Sequence, residues 1–334
     1  MVSILIKSFN RPHYLDRCLK SIEKHVSGKF EVKIIDDGTP QKYLELIEEK
    51  HPNVQIIHTK KYKEKSQQIQ NKQEISKVIP SRDWYEVAKK STEYILVIED
   101  DVWFVAPIEL DEIAREMDRY NVNLLKLGWN GMQLENENFT QISQNLNKRK
   151  INLFTLNPIL MDWLFANKFK FYSILKKLKL ISENEFYKYY LFISISSGIH
   201  KREYWLKTWE NLNESVNEKQ QIRNAISYYV KHKSAHFITY FKEEIIKTTF
   251  KSSATNSFHL YPVDFDVHEF NFILNEAWLE GKFDSMQNYP KDFSDDYIES
   301  FLDKEKTNKA KFENWKKWSD CFKDQYRNLG AKVD

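Results

Sequence analysis

Cysteine, glycine and long apolar runs are all scarce in this chain. Its 334 residues hold two cysteines, Cys18 and Cys321. Two thiols cannot build a disulfide framework, and their spacing matches no metal-binding pattern, so a reducing compartment is expected. No window approaches 18 uninterrupted apolar residues, so no membrane-spanning helix is expected. A charge excess is missing too. The 51 basic and 48 acidic side chains leave a net charge of +3, which argues against a dedicated nucleic-acid binder. The opening Met1-Val-Ser-Ile-Leu-Ile6 already reads as a strand, without the charged, apolar and small-residue order of a signal peptide. A cytoplasmic setting is therefore expected. Lysine, asparagine, isoleucine and aromatics are abundant, which in part reads as genome composition.

The N-terminal half alternates two periodicities. Val2–Lys7 is strand-like; Pro12 then opens a helical pattern carried by Leu15, Leu19, Ile22 and Val26. Glu31–Ile35 and Val54–His58 read as further strands, with a helix over Tyr43–Lys50 between them. Residues 59–80 are polar and weakly periodic, predicting a long loop or a loosely packed helix. Trp84–Ser91 and Pro107–Tyr120 read as helices around the apolar run Tyr94–Ile98, and Asn123–Leu127 as a strand. This alternation predicts an α/β fold with a mostly parallel sheet flanked by helices. Beyond residue 150 the pattern is less regular and more aromatic. Three parts are expected: residues 1–131, residues 132–262 of the same domain, and a helical extension over 263–334.

The run Tyr94–Ile98 ends abruptly in Glu99, Asp100 and Asp101. A strand interior does not tolerate three adjacent charges, so these acids must face water, a metal or a ligand. Carboxylates at the end of such a strand suit a divalent cation, at the sheet edge where α/β proteins bind ligands. A second pair, Asp36-Asp37 before Gly38, ends another strand and is equally common turn chemistry.

SILIKSFNRPHYLDRCLKSI, VKIIDDG and SRDWYEVAKKSTEYILVIEDD, in this order, resemble the large inverting family 2 of GT-A nucleotide-sugar glycosyltransferases, which includes many bacterial surface-polysaccharide enzymes. The likeness covers residues 2–131. It implies a Rossmann-like GT-A fold and metal-dependent transfer from a nucleotide sugar, UDP-linked by expectation, to a glycan or lipid-linked glycan hydroxyl. Mn²⁺ or Mg²⁺ would neutralise the diphosphate leaving group. By this resemblance Asp101 is a metal ligand and Glu99 lies near ribose or a metal-bound water, although the family places Asp there. Asp100 lines the pocket. Ser8, Phe9, Asn10, Asp36, Asp37 and Arg82 would surround the nucleotide. His259, in a late loop, would be a third metal ligand or a surface residue.

For the acceptor, inverting transfer requires a general base. Ser196–Arg202 resembles the family's Gly-containing segment before the base helix, making Glu218 the first candidate and Glu214 the second. Either is equally a helix-start acid, and the family's Glu-Asp pair is absent. Trp129 and Asn130 would line an acceptor pocket or, for Trp129, the core. The basic, aromatic stretch 163–181 either rests on anionic lipid or packs inward; the amphipathic stretch 310–329 would dock on the catalytic domain, a partner or a membrane. Rival readings are a retaining transferase on the same fold and a non-catalytic glycan-binding or assembly subunit. A nucleotidyltransferase would need a glycine-rich loop where Lys7-Ser-Phe-Asn-Arg-Pro12 has none. The oligomeric state is not legible.

Overall fold

The computed structural model describes residues 1–130, 139–149, 152–182, 185–193, 197–210, 216–254, 261–302, 308–328 and 330–333. Its strands are β1 (Val2–Ser8), β2 (Val26–Ser27), β3 (Phe30–Asp36), β4 (Val54–His58), β5 (Tyr94–Glu99), β6 (Val102–Phe104) and β7 (Ile108–Glu109). They continue with β8 (Leu124–Lys126), β9 (Phe139–Gln141), β10 (Leu146–Arg149), β11 (Gly198–Lys201), β12 (Ile238–Phe241) and β13 (Ile246–Thr248). The α-helices are α1 (Pro12–His25), α2 (Gln41–Lys50), α3 (Tyr62–Gln70), α4 (Ser81–Lys89), α5 (Leu110–Arg119), α6 (Pro158–Phe165) and α7 (Phe171–Lys177). After them come α8 (Glu185–Tyr189), α9 (Arg202–Thr208), α10 (Glu218–Lys231), α11 (Val267–Leu279), α12 (Asp295–Leu302) and α13 (Phe312–Arg327).

A nine-stranded sheet runs in the order β4-β3-β1-β5-β11-β8-β12-β10-β9. Its first four strands are parallel, as the alternating periodicity predicts. From β11 onward the sheet is mixed: β11 is antiparallel to both neighbours, β8 and β12 are parallel, and β10 and β9 return antiparallel. Central β1 is buried on both faces, which is why Val2-Ser-Ile-Leu-Ile reads as an apolar run without alternation. Residues 59–80 contain helix α3, whose Lys65 is buried.

Residues 263–333 are not a loose appendage. In α11, Asn275 bonds His13 Nδ1 at 2.8 Å, and Trp278 Nε1 donates to Asp16 Oδ2 at 2.9 Å. The fully buried Arg17 guanidinium donates to the carbonyls of Ser285, Gln287 and Lys291 and lies 4.5 Å from the Trp103 ring. In α13, Trp315 stacks on Phe270 and Trp318 packs tilted against Phe265. The apolar face of α13 is thus spent on the chain's own core.

Candidate active site

Register brings the strand ends together. Ser8 pairs with Asp36 and Lys7 with Glu99, so three chain segments leave the parallel half-sheet at one carboxyl edge. In open α/β sheets such an edge is where ligands bind.

Arg11 occupies the middle of this edge, in a role that the residue types alone did not suggest. Its Nη1 donates to Asp101 Oδ2 at 2.6 Å, and its Nη2 donates to Asp100 Oδ1. The Phe9 amide donates to Asp100 Oδ2 at 3.0 Å. All three charged residues are buried. Burial pushes Asp101 up to about 7, against the pull of Arg11 and helped by the neighbouring charges of Glu99 and Asp100. Burial likewise raises Asp100. Asp101 Oδ1 is buried and has no hydrogen-bond partner. Glu99 turns elsewhere, pairing with Lys7 Nζ at 2.7 Å and remaining half exposed.

Two buried carboxyl groups thus share one guanidinium, which leaves one Asp101 oxygen unbound among the described residues. Among the described residues no group of three His, Cys, Asp or Glu could hold a metal by itself. Mg²⁺-type sites, however, commonly use one or two carboxylates and complete their shell with waters and substrate phosphates. The Asp101 oxygen fits such a site, and Glu99 lies two positions earlier in the sequence. His259 lies outside the described residues.

On the nucleotide side, the two aspartates differ. Asp36 is fully buried, and its oxygens accept from Ser8 Oγ (2.9 Å), Gly38 N (3.0 Å), Thr39 N (2.8 Å) and Thr39 Oγ1 (2.6 Å). These donors hold the β3 turn together, and they also engage Ser8. Asp37 accepts from Thr59 Oγ1 and Lys65 Nζ, both at 2.5 Å. Burial raises its pKa in spite of Lys65. Gly38 has φ +144°, and a Cβ there would meet Lys65 Cβ at 2.6 Å, so glycine permits the close approach of α3. Phe9 is half buried, with Lys65 Nζ 5.5 Å from its ring. Asn10, at φ 51°, is buried; its amide donates to Thr39 Oγ1, and its side-chain oxygen accepts from Asn275. Arg82 is exposed in the first turn of α4.

On the opposite side, Glu218 opens α10, is exposed, and accepts from Tyr190 Oη at 2.9 Å. Glu214 lies outside the described residues. Tyr326, near the end of α13, packs its ring against Phe250 and Phe322. Burial raises its hydroxyl pKa, and the charges of Glu99, Asp101 and Glu218 push it further. The chain then turns back, and Lys332 N donates to Asn130 O at 2.8 Å. Trp129 does not line a pocket: its ring is buried between Phe139 and Tyr240, and its amide donates to Glu244.

Residues 3–72 match the model described as Glycosyl transferase family 2. That segment spans β1 to α3 and contains Ser8–Arg11, Asp36, Asp37 and Lys65. No curated protein matches the chain. Among solved structures, TarS 1–349 of S. aureus in complex with UDP-GlcNAc is 14% identical, covering 98% of this chain and 81% of that one, with a TM-score of 0.44. Against the longer S. aureus TarS structure, the alignment spans 42% of that chain. Glucosyl-3-phosphoglycerate synthase of Mycobacterium tuberculosis, in complex with Mn²⁺, UDP and glucosyl-3-phosphoglycerate, is 11% identical. That alignment covers 86% of this chain and 82% of that one, with a TM-score of 0.42.

Proposed function

We propose that the protein is a metal-dependent glycosyltransferase of the GT-A type, moving a sugar from a UDP-sugar to a hydroxyl of a glycan or lipid-linked glycan. The reading rests chiefly on one observation: Asp37 and the Arg11–Asp100–Asp101 cluster meet at the carboxyl edge of a parallel half-sheet, within or beside the family-matching segment. In this reading residues 1–131 bind the donor, residues 132–262 bind the acceptor, and 263–334 is the helical part that braces α1.

Each residue then has a physical task. Asp37, already accepting from Thr59 and Lys65, is held rigidly to accept from the base or ribose, with Phe9 beside it; Arg82 is free to swing toward the diphosphate. Asp101 would hold Mn²⁺ or Mg²⁺, with Glu99 reaching it through water. The cation would supply positive charge to the departing nucleoside diphosphate. Arg11 offsets part of the burial penalty on Asp100 and Asp101 and holds both in place before donor binding. Glu218 removes the acceptor proton if the transfer inverts. In a cell the product would be a surface polysaccharide or other glycoconjugate.

A thermal-shift panel of UDP-, GDP-, CMP- and dTDP-sugars with Mn²⁺ tests the reading. We expect stabilisation by a UDP-sugar that requires the metal, and loss of sugar transfer or donor hydrolysis in Asp101→Ala. Full activity in that variant, or under excess chelator, refutes it. NMR of the product anomer then distinguishes inversion from retention.

A further inference from the structure

The described residues expose ten large hydrophobic side chains, and seven of them fall between Phe154 and Tyr187. Phe169 is 83% exposed, Ile159 63%, Leu178 62%, Leu180 61% and Ile174 50%. The inner face of the same segment is spent on packing: Met161, Leu164, Leu175 and Ile181 are buried in the cluster around Phe192 and Tyr240. The outer residues have no such use. Ile174 and Leu178 are four apart and share one face at the end of α7. Phe169 touches Trp163, which touches Phe171, which touches Phe154. The apolar groups thus form a connected ridge. A concentration of apolar surface of this kind marks an interaction site.

Charge narrows the partner. Residues 163–181 contain five lysines and no acid. All five lysines are exposed, and the side chains of Lys168, Lys170, Lys177 and Lys179 bond to no other described residue. The nearby Asp162 is already paired with Arg223. The tip is also strained. Asn167, Phe169 and Lys170 all have left-handed backbone, at φ 46°, 53° and 58°. That conformation is unfavourable for residues with a Cβ and clusters at functional positions. Here it carries the most exposed large hydrophobic side chain among the described residues, whose ring meets Trp163 edge-on and is otherwise turned to solvent.

We propose that the α6–α7 hairpin docks the protein on an anionic lipid bilayer. Phe169 and the Ile174–Leu178 face enter the headgroup–acyl boundary, while the lysine stems lie along the apolar surface and their ammonium groups meet lipid phosphates. An apolar ridge alone would suit a second copy or another protein. The interleaved lysines, without acids, favour a surface that is both apolar and uniformly negative. This inference does not rest on the sugar-transfer reading, and its test does not measure transfer.

The full chain is sedimented with vesicles of phosphatidylcholine, and with vesicles that also contain phosphatidylglycerol, at low and high salt. Binding to the anionic vesicles alone, weakened by salt, is expected. Each lysine at such a surface contributes about fivefold to partitioning, so Lys168→Gln with Lys170→Gln should weaken binding by up to about 25-fold. Phe169→Ser with Leu178→Ser should remove it. These positions are exposed, and circular dichroism checks that the fold survives. No binding to either vesicle, equal binding to both, or variants that bind like the parent overturns the proposal. Phe169-dependent self-association without lipid binding also overturns it, in favour of a contact between copies.

Discussion

Replacing Arg11 with methionine tests the centre of the candidate site. The substitution keeps most of the side chain's bulk but removes the guanidinium bonded to Asp100 and Asp101. Two buried carboxylates then lose their compensating charge. Breaking a buried pair in this way typically costs 3–5 kcal/mol. At about 2.1 cal/mol/K per residue, a chain of this length has an unfolding entropy near 0.7 kcal/mol/K, so Tm should fall by roughly 4–7 °C. Differential scanning calorimetry without metal reads this directly. The double variant Arg11→Met/Asp101→Asn should be less destabilised than the sum of its parts, by about 0.5–3 kcal/mol, because the two residues share one interaction. Mn²⁺ should raise the Tm of Arg11→Met more than that of the parent, since a bound cation replaces the missing charge and stabilises by mass action. A Tm within about 1 °C of the parent, or strict additivity in the cycle, refutes the assignment of Arg11 as the charge that holds this cluster.

Two further outcomes follow from the same structure. Glu218→Gln should leave donor binding intact while lowering kcat by about 10²–10⁴-fold, the usual contribution of a general base; steady-state kinetics with unchanged UDP affinity checks this, and a normal kcat removes Glu218 from the role. His13 is fully buried, and burial lowers its pKa to about 3 despite the bond with Asn275. Its unfolded form gains a proton near pH 6.5 while the folded form stays neutral. The associated stability is therefore whole above pH 6.5 and is lost as pH falls toward 3. Relative to His13→Gln, the parent should lose about 1.4 kcal/mol per pH unit in that window, measured by urea unfolding at stepped pH; parallel curves for the two proteins refute it.

The parallel half of the sheet was legible because its strands are buried on both faces, and Val2–Ser8 and Tyr94–Glu99 therefore read as unbroken apolar runs. Their acidic ends were legible for the complementary reason, since charge must leave the sheet there. Arg11 was not: an arginine after Asn10 looks like a surface residue, and its partners lie 89 and 90 positions away. Helix α3 was obscured because Lys65 turns inward to meet Asp37 and Val78 O, so a charged residue sits on the buried face and blurs the periodicity. Asp36 and Asp37 look alike in sequence, and the turn donors around Gly38 and Thr39 separate them. The amphipathic pattern around Trp315 and Trp318 announced a buried face without naming what covers it, because that surface comes from α11 and other distant segments.

The embrace of α1 by the C-terminal helices has a consequence for how the chain is made. His13, Asp16 and Arg17 are translated well before several of their partners, which lie between Asn275 and Lys291. At about 5–20 residues per second, synthesis of the intervening stretch takes roughly 14–55 s. For that time a helix carrying an aspartate and an arginine destined for the interior has no completed interior to enter. The family-matching segment is translated before α11, yet its opening helix needs α11 and the turn after it as neighbours, so order in the candidate site waits on a segment made much later.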